Sequence, residues 1–168
     1  VGMLDLEAYE WTEGTHSPIR ATEHTVEDRL PPRVKIRRNA PLEMPHIMIF
    51  MDDPDDIVFS SVTKGERVYD FELMQDGGSI VGWLVKDNDK LARAAEKLGE
   101  EDVLRRKYAT ADNAIVFAMG DGNHSLAAAK LHWEEVKKTL PEAERESAPA
   151  RYALAELVNI HDASISFE

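Results

Sequence analysis

Between Gly120 and Ser125 the chain reads GDGNHS, a carboxylate, an amide, an imidazole and a hydroxyl arranged around two glycines. The apolar run Ile115–Met119 precedes it, and Leu126 with three alanines follows, so the pattern reads as buried strand, glycine turn and helix start. The first turn of a helix has unpaired N–H groups and a partial positive charge, the makings of an anion site. Gly120 and Gly122 would let the backbone close on a ligand, while Asn123 or Ser125 would cap the helix or touch a phosphate. Asp121 repels a bare phosphate, so it suits such a site by holding a metal ion or by accepting a substrate proton. The same pattern also serves folds without ligands, with Asn123 as a simple N-cap. It matches neither the dinucleotide fingerprint nor the P-loop.

A second set lies far upstream. Arg20, Thr22, Glu23, Thr25 and Arg29 place two guanidinium groups, two hydroxyls and a carboxylate within ten positions. Such a set suits a phosphorylated or carboxylated ligand, with arginine as a bidentate anion holder. It equally suits a loop network that satisfies itself. These residues open a basic island: residues 20–38 hold six Arg and Lys against three acidic residues, in a chain of net charge −12. That overall charge repels nucleic acid and anionic lipid, so neither is expected as a partner. The expected partner is a small anionic molecule.

Other chemistry-bearing stretches point less far. The run DDPDD, Asp52 to Asp56, reads as a solvated acidic turn before it reads as a metal site. The six histidines show no HExxH or HxxxH spacing, which argues against a zinc enzyme. His161 beside Asp162 resembles an orienting pair, but neighbours on a strand point to opposite faces. Trp11, Trp83 and Trp133 read as core or rim packing.

The elements that must carry these residues follow from periodicity. Residues 1–9 alternate as a strand, and WTEGTHSP makes a loop. Thr25 and Asp28 resemble the capping pair of a short helix ended by Pro31 and Pro32. RVKIRR then alternates as a strand with Arg33, Lys35 and Arg37 in a row on one face. HIMIFM is a buried strand, and RVYDFELMQDGGSIVGWLV is a β-hairpin turning at Asp76–Gly78. A helix runs from about Asn88 to Leu98, stops at Gly99, and is followed by a second short helix. After the GDGNHS turn, Leu126, Ala129, Trp133, Val136 and Leu140 keep one helical face apolar until Pro141. The tail from Ala150 is ambiguous between helix and strand, then strand-like to its end. Without a regular βαβ rhythm, the expected fold is α+β, a mixed or mainly antiparallel sheet with a β-hairpin and packed helices.

The whole chain, residues 1–168, reads as one domain with 43% apolar residues, enough for a core. It contains no cysteine, which excludes disulfides and thiolate zinc sites and makes the cytoplasm the expected location. No stretch is apolar for long enough to span a membrane, so no membrane partner is expected. Both ends fall inside alternating patterns, so the chain is expected to be an internal piece of a longer protein whose flanking segments are its natural partners.

The segments LDLEAYE, IRATEHTVEDRLPPRVKIRRNAPLEMPHIMIFMDDP, YDFELMQDGGSIVGW, FAMGDGNHSLAAAK and ARYALAELVNIHD resemble, in order and end to end, an uncharacterised prokaryotic family known as domain of unknown function 1015. Many members of that family carry a DGHHR-type motif where this chain has Asp121, Gly122, Asn123, His124 and Ser125. That motif is similar to one in the ParB and sulfiredoxin-like group, in which a comparable loop and helix start bind nucleotide phosphates and which includes kinases of free serine. The resemblance implies phosphate binding here, with Asn123 replacing a histidine and Ser125 an arginine, whose role Arg20 or Arg29 would take.

Together these readings lead to an expected nucleotide-dependent small-molecule phosphotransferase using ATP or ADP and Mg²⁺. Asp121 would hold the metal or orient the attacking hydroxyl, His124 would be a secondary polar contact, and a free hydroxy amino acid such as serine is the acceptor the resemblance suggests. The alternative is a regulatory module that binds a nucleotide or small acid and catalyses nothing.

Overall fold

The structure, a computed structural model, describes residues 1–44, 46–110, 112 and 114–165. In chain order its elements are β1 (Gly2–Asp5), β2 (Tyr9–Glu10), β3 (Ile19–Ala21), α1 (Leu30–Arg38), β4 (Met48–Met51), α2 (Ile57–Ser60), β5 (Lys64–Glu72), β6 (Ser79–Val85), α3 (Asn88–Leu98), α4 (Glu101–Tyr108), β7 (Phe117–Asp121), α5 (Asn123–Lys137), α6 (Glu142–Arg145) and β8 (Tyr152–Asn159). The fold is α+β, with a mixed sheet and a separate hairpin. Contacts divide the chain into two compact units, Val1–Asp52 with Thr110–Glu168, and Asp53–Ala109.

The first unit is built on a six-stranded sheet in the order β1-β8-β4-β7-β3-β2. The pairs β2–β3, β3–β7 and β4–β8 are parallel, and β1–β8 and β4–β7 are antiparallel. Helix α5 supplies the core its main knobs. Leu126, Ala129 and Trp133, spaced to share one face, are fully buried in a cluster with Leu6, Tyr9, Ile49, Met119, Ala153 and Ala155. The Trp133 indole N–H donates to Glu7 Oε1 at 2.6 Å, and Lys137 reaches the same oxygen at 2.6 Å. Arg151 grips Asp5 through both carboxylate oxygens, at 3.0 and 2.6 Å.

The second unit holds the hairpin β5–β6 and helices α2, α3 and α4. Val58, Ala94, Leu98 and Leu104 are its buried apolar residues. Positive φ in the hairpin turn falls on Gln75, Asp76 and Gly78, with Gly77 at −70°. Asp87 caps α3 by accepting from Lys90 N at 2.9 Å.

Three local expectations change. Thr25 and Asp28 make no capping pair: the 3-10 turn Glu27–Arg29 begins at Val26 without a side-chain cap, and Thr25 bonds to Asn123. RVKIRR is helix α1 and not a strand, because Pro31 and Pro32 sit in its first turn, where a missing N–H leaves no bond unmade and the fixed φ suits a helix start. Leu30 and Val34, one turn apart, are buried, whereas Ile36 is 71% exposed. The row of cations dissolves with the strand: Arg37 pairs with Glu43 and Arg38 with Glu135. Residues 1–9 are two short strands joined by a 3-10 turn at Leu6–Ala8, held by Asp5 accepting from Glu7 N. The tail resolves as strand β8 from Tyr152, and the last part of its final alternation, residues 166–168, lies outside the described residues. Among the described residues no helix is long and apolar enough to cross a membrane.

Trp133→Ala is expected to cost roughly 3–5 kcal/mol, read from urea unfolding followed by circular dichroism. A pH effect accompanies it. Burial alone would raise the Asp5 and Glu7 carboxyls, but hydrogen bonds from Arg151 and the Glu7 N–H to Asp5, and from Lys137 and Trp133 to Glu7, outweigh it and hold both below their ordinary 3.8 and 4.5. The unfolded chain then binds more protons in acid, so this stabilisation is complete above those ordinary values and lost as pH falls through the lowered folded values. The urea midpoint should fall on acidification from neutral pH, and less steeply in Asp5→Asn.

Candidate functional site

The register of β3 decides which side chains meet. Ile19, Arg20 and Ala21 pair in parallel with Phe117, Ala118 and Met119, and β2 runs parallel on the other side of β3. The carboxyl ends of β2, β3 and β7 therefore open at one edge of the sheet, the side on which open α/β sheets bind ligands. The two candidate segments, nearly a hundred residues apart in sequence, are neighbours there.

At the end of β7 the pairing with β4 slips by one residue. Met48 faces Asp121 and Ile49 faces Met119, so Gly120 is the extra residue of a bulge. A Cβ on Gly120 would lie 2.4 Å from the Phe50 ring, which lies against the glycine. Gly122 adopts φ +83°, and a Cβ there would press on the His46 carbonyl and Ile47 Cα at 3.1 Å. The close approach that both glycines permit is thus made by the protein's own Phe50, His46 and Ile47. Asp121 is exposed, and its Oδ1 accepts from Gly122 N at 2.6 Å.

Gly122 is the residue that caps α5. Its carbonyl accepts from Ser125 N and Leu126 N, each at 2.9 Å, and the N–H groups of Asn123 and His124 have no acceptor within the helix. Asn123, expected as a cap, is the first residue inside the helix and is 4% exposed. Its Nδ2 donates to Thr25 Oγ1 at 3.0 Å, and its Oδ1 accepts from the Tyr9 hydroxyl at 3.4 Å. Burial, with the Glu10 charge adding to it, pushes the Tyr9 phenol upward and keeps it a neutral donor. Thr22 Oγ1 donates to the Met119 carbonyl at 2.6 Å, and His124 Nε2 accepts from Val26 N at 3.2 Å. Residues 22–26 are thereby stitched to the end of β7 and the start of α5.

The structure does not gather every expected residue on this edge. Arg20 is buried, and its guanidinium donates to the carbonyls of Ser17 at 2.6 Å and Ala114 at 2.8 Å, both residues that precede the paired strands. Glu23 and Arg29 are exposed and, among the described residues, have no side-chain hydrogen bond or ion pair. Ser125 lines a different cleft, between α5 and α1. A cleft of about 410 Å³ does open at the carboxyl ends of β2 and β3, bounded by residues 10–15 and 20–24.

Sequence reasoning missed Tyr9, whose ordinary strand pattern gave no sign of a hydroxyl bound to Asn123. It also missed the partner of His161. That imidazole meets Asp52 Oδ1 at 2.6 Å, not Asp162, because β4 and β8 run parallel and end together. Within DDPDD, Asp53 is buried and accepts from Val58 N at 2.8 Å to start α2. Among the described residues no three His, Asp or Glu side chains group as metal ligands.

A mixed sheet whose parallel strands end on a bulged, glycine-capped helix start defines an α+β protein with a polar edge at the β3–β7 ends. A family model matches the chain over residues 1–168, and the chain belongs to that family, DUF1015, described as a protein of unknown function. No curated protein and no solved structure matches it.

Asn123→Ala leaves the buried Thr25 and Tyr9 hydroxyls without their partner and is expected to cost about 1–3 kcal/mol in chemical unfolding. Gly122→Ala, forced into a left-handed backbone against the His46 carbonyl, should cost a similar amount, about 1–3 kcal/mol.

Proposed function

We propose that the edge formed by the β3 and β7 ends binds the phosphates of ATP or ADP, and that the chain transfers a phosphoryl group to a small hydroxyl compound. A free hydroxy amino acid such as serine is the acceptor that the similarity of the Asp121–Ser125 stretch to the ParB and sulfiredoxin-like motif favours. The observation that carries this reading is the parallel β3–β7 pairing, which brings residues 22–26 against the first turn of α5, beside the exposed Asp121 carboxylate.

The N–H groups of Asn123 and His124 supply the phosphate contacts. Arg29 supplies the cation. It is exposed and lies three residues beyond Val26, which His124 holds against the helix start, whereas Arg20 is engaged by backbone carbonyls. A lone exposed carboxylate fits Mg²⁺, which keeps several waters and takes its remaining ligands from the substrate phosphates. Bound there, Mg²⁺ would neutralise phosphate charge. Where Asp121 instead faces the acceptor, it orients the hydroxyl and takes its proton as the new P–O bond forms and the bond to the nucleotide breaks. On this reading neither nucleic acid nor a membrane is a partner, since a net charge of −12 repels nucleic acid and anionic lipid, and the absence of cysteine suits a cytoplasmic setting.

One observation favours a second reading, nucleotide or small-acid binding without turnover. Thr22, Thr25, Asn123 and the His124 ring are already hydrogen-bonded within the chain, which leaves few groups to act on a substrate.

Thermal unfolding with Mg²⁺ and ATP, ADP or CTP, paired with an assay of phosphoryl transfer to serine, tests both. The phosphotransferase reading expects a raised midpoint with one nucleotide. It expects the shift to shrink in Arg29→Gln, and turnover to fall about a hundredfold or more in Asp121→Asn with binding largely kept. A shift without turnover on any hydroxyl acceptor selects the binding module. No shift with any nucleotide removes the phosphotransferase reading and leaves only small-acid binding of the second.

A further inference from the structure

A cleft of about 640 Å³ lies between α1 and α5. Helix α5 lines it with Ser125, Ala128 and His132, spaced to share one face, and α1 lines it with Arg33, Ile36 and Arg37. The space exists because Ser125 and Ala128 are too short to fill the gap that α1 leaves.

Its charge is unbalanced. Arg37 is paired with Glu43 at 2.6 Å and also donates to the Tyr152 carbonyl at 3.0 Å. Glu43, the one carboxylate lining the cleft, also accepts from Leu154 N at 3.2 Å. Arg33 donates to the Arg29 carbonyl at 2.9 Å but, among the described residues, meets no carboxylate. A chain of net charge −12 therefore presents an unneutralised guanidinium in a concave wall.

His132 adds a second observation. Among the described residues, its Nδ1 is the one buried side-chain nitrogen or oxygen without a hydrogen-bond partner. Such groups are rare in folded proteins, and this one is closed to solvent, so the ring meets the cleft by its other atoms. Burial first, then Arg37 with Arg38, push the ring's pKa down against the opposing pull of Glu135, which favours a neutral imidazole. The mouth, in contrast, is apolar: Ile36, Leu42 and Met44 line the cleft and are 71%, 80% and 75% exposed.

We propose that this cleft binds a small organic acid, with its carboxylate on Arg33 beside the His132 ring and its apolar body over Ile36, Leu42 and Met44. One free guanidinium and a neutral imidazole match a single negative charge. A compact hydrated dianion such as phosphate would leave the apolar mouth uncovered. The proposal is independent of the nucleotide reading, because it uses Arg33 and His132 and neither Asp121 nor Arg29.

Hexanoate, hexanol and inorganic phosphate, titrated into the isotope-labelled chain and followed by NMR, test it. Hexanoate should give saturable shifts at Ile36, Ala128 and His132, with hexanol and phosphate at least about tenfold weaker there. Arg33→Gln should weaken hexanoate about tenfold, since a charge-assisted hydrogen bond is lost, whereas Lys35→Gln, an exposed cation of the same helix outside the cleft, should leave it unchanged. His132→Phe keeps the ring's bulk, and weaker hexanoate binding in that variant supports the role given to the imidazole. Equal binding of hexanol or phosphate, wild-type affinity in Arg33→Gln, or shifts confined to Asp121–His124 would overturn the proposal.

Discussion

Three backbone positions of β3 pair in parallel with three of β7, and the polar edge of the molecule depends on that pairing. It places Thr22 on the Met119 carbonyl, Thr25 on Asn123, and Val26 on His124. Without it, the basic island and the glycine turn would be unrelated stretches. Shifting the register by one residue would exchange the faces of β3, exposing buried Arg20 and breaking each of these contacts.

The two glycines serve this edge in different ways. Gly120 lets β7 bulge under the Phe50 ring, which shifts the pairing with β4 by one residue so that Asp121, the last residue of β7, pairs with Met48. Gly122 takes the left-handed conformation that reverses the chain into α5 against the His46 carbonyl. Both are accounted for by packing, so the openness needed for a ligand falls to the exposed Asp121 and to the first-turn N–H groups of α5. The buried Asn123 network makes that opening rigid, because its amide ties together β2, the loop after β3 and α5.

Much of the fold was legible because periodicity reports burial. The α5 stripe, the hairpin, the α3–α4 pair and the buried β4 strand all follow from apolar spacing and turn residues. RVKIRR misled because alternation over six residues also fits a helix in which Val34 alone must be buried; the prolines, read as a stop, were the first-turn signal. Of the edge itself, the GDGNHS turn was visible as chemistry-bearing, and so was the hydroxyl-rich segment that meets it. Which hydroxyl meets which amide was not, since Tyr9–Asn123 and Asp52–His161 are contacts between residues more than a hundred positions apart that only strand order creates. The direction of the Arg20 side chain was equally hidden: a buried arginine reads from sequence like an exposed one.

The proposed role of the β3–β7 edge as one anion-binding surface is read most directly by amide chemical shifts. On titration of Mg²⁺ and ADP into the nitrogen-15-labelled chain, the account predicts that the Asn123 and His124 amides move together with those of Thr22 to Val26 along a single saturation curve. Shifts that saturate elsewhere while these amides stay still would contradict it.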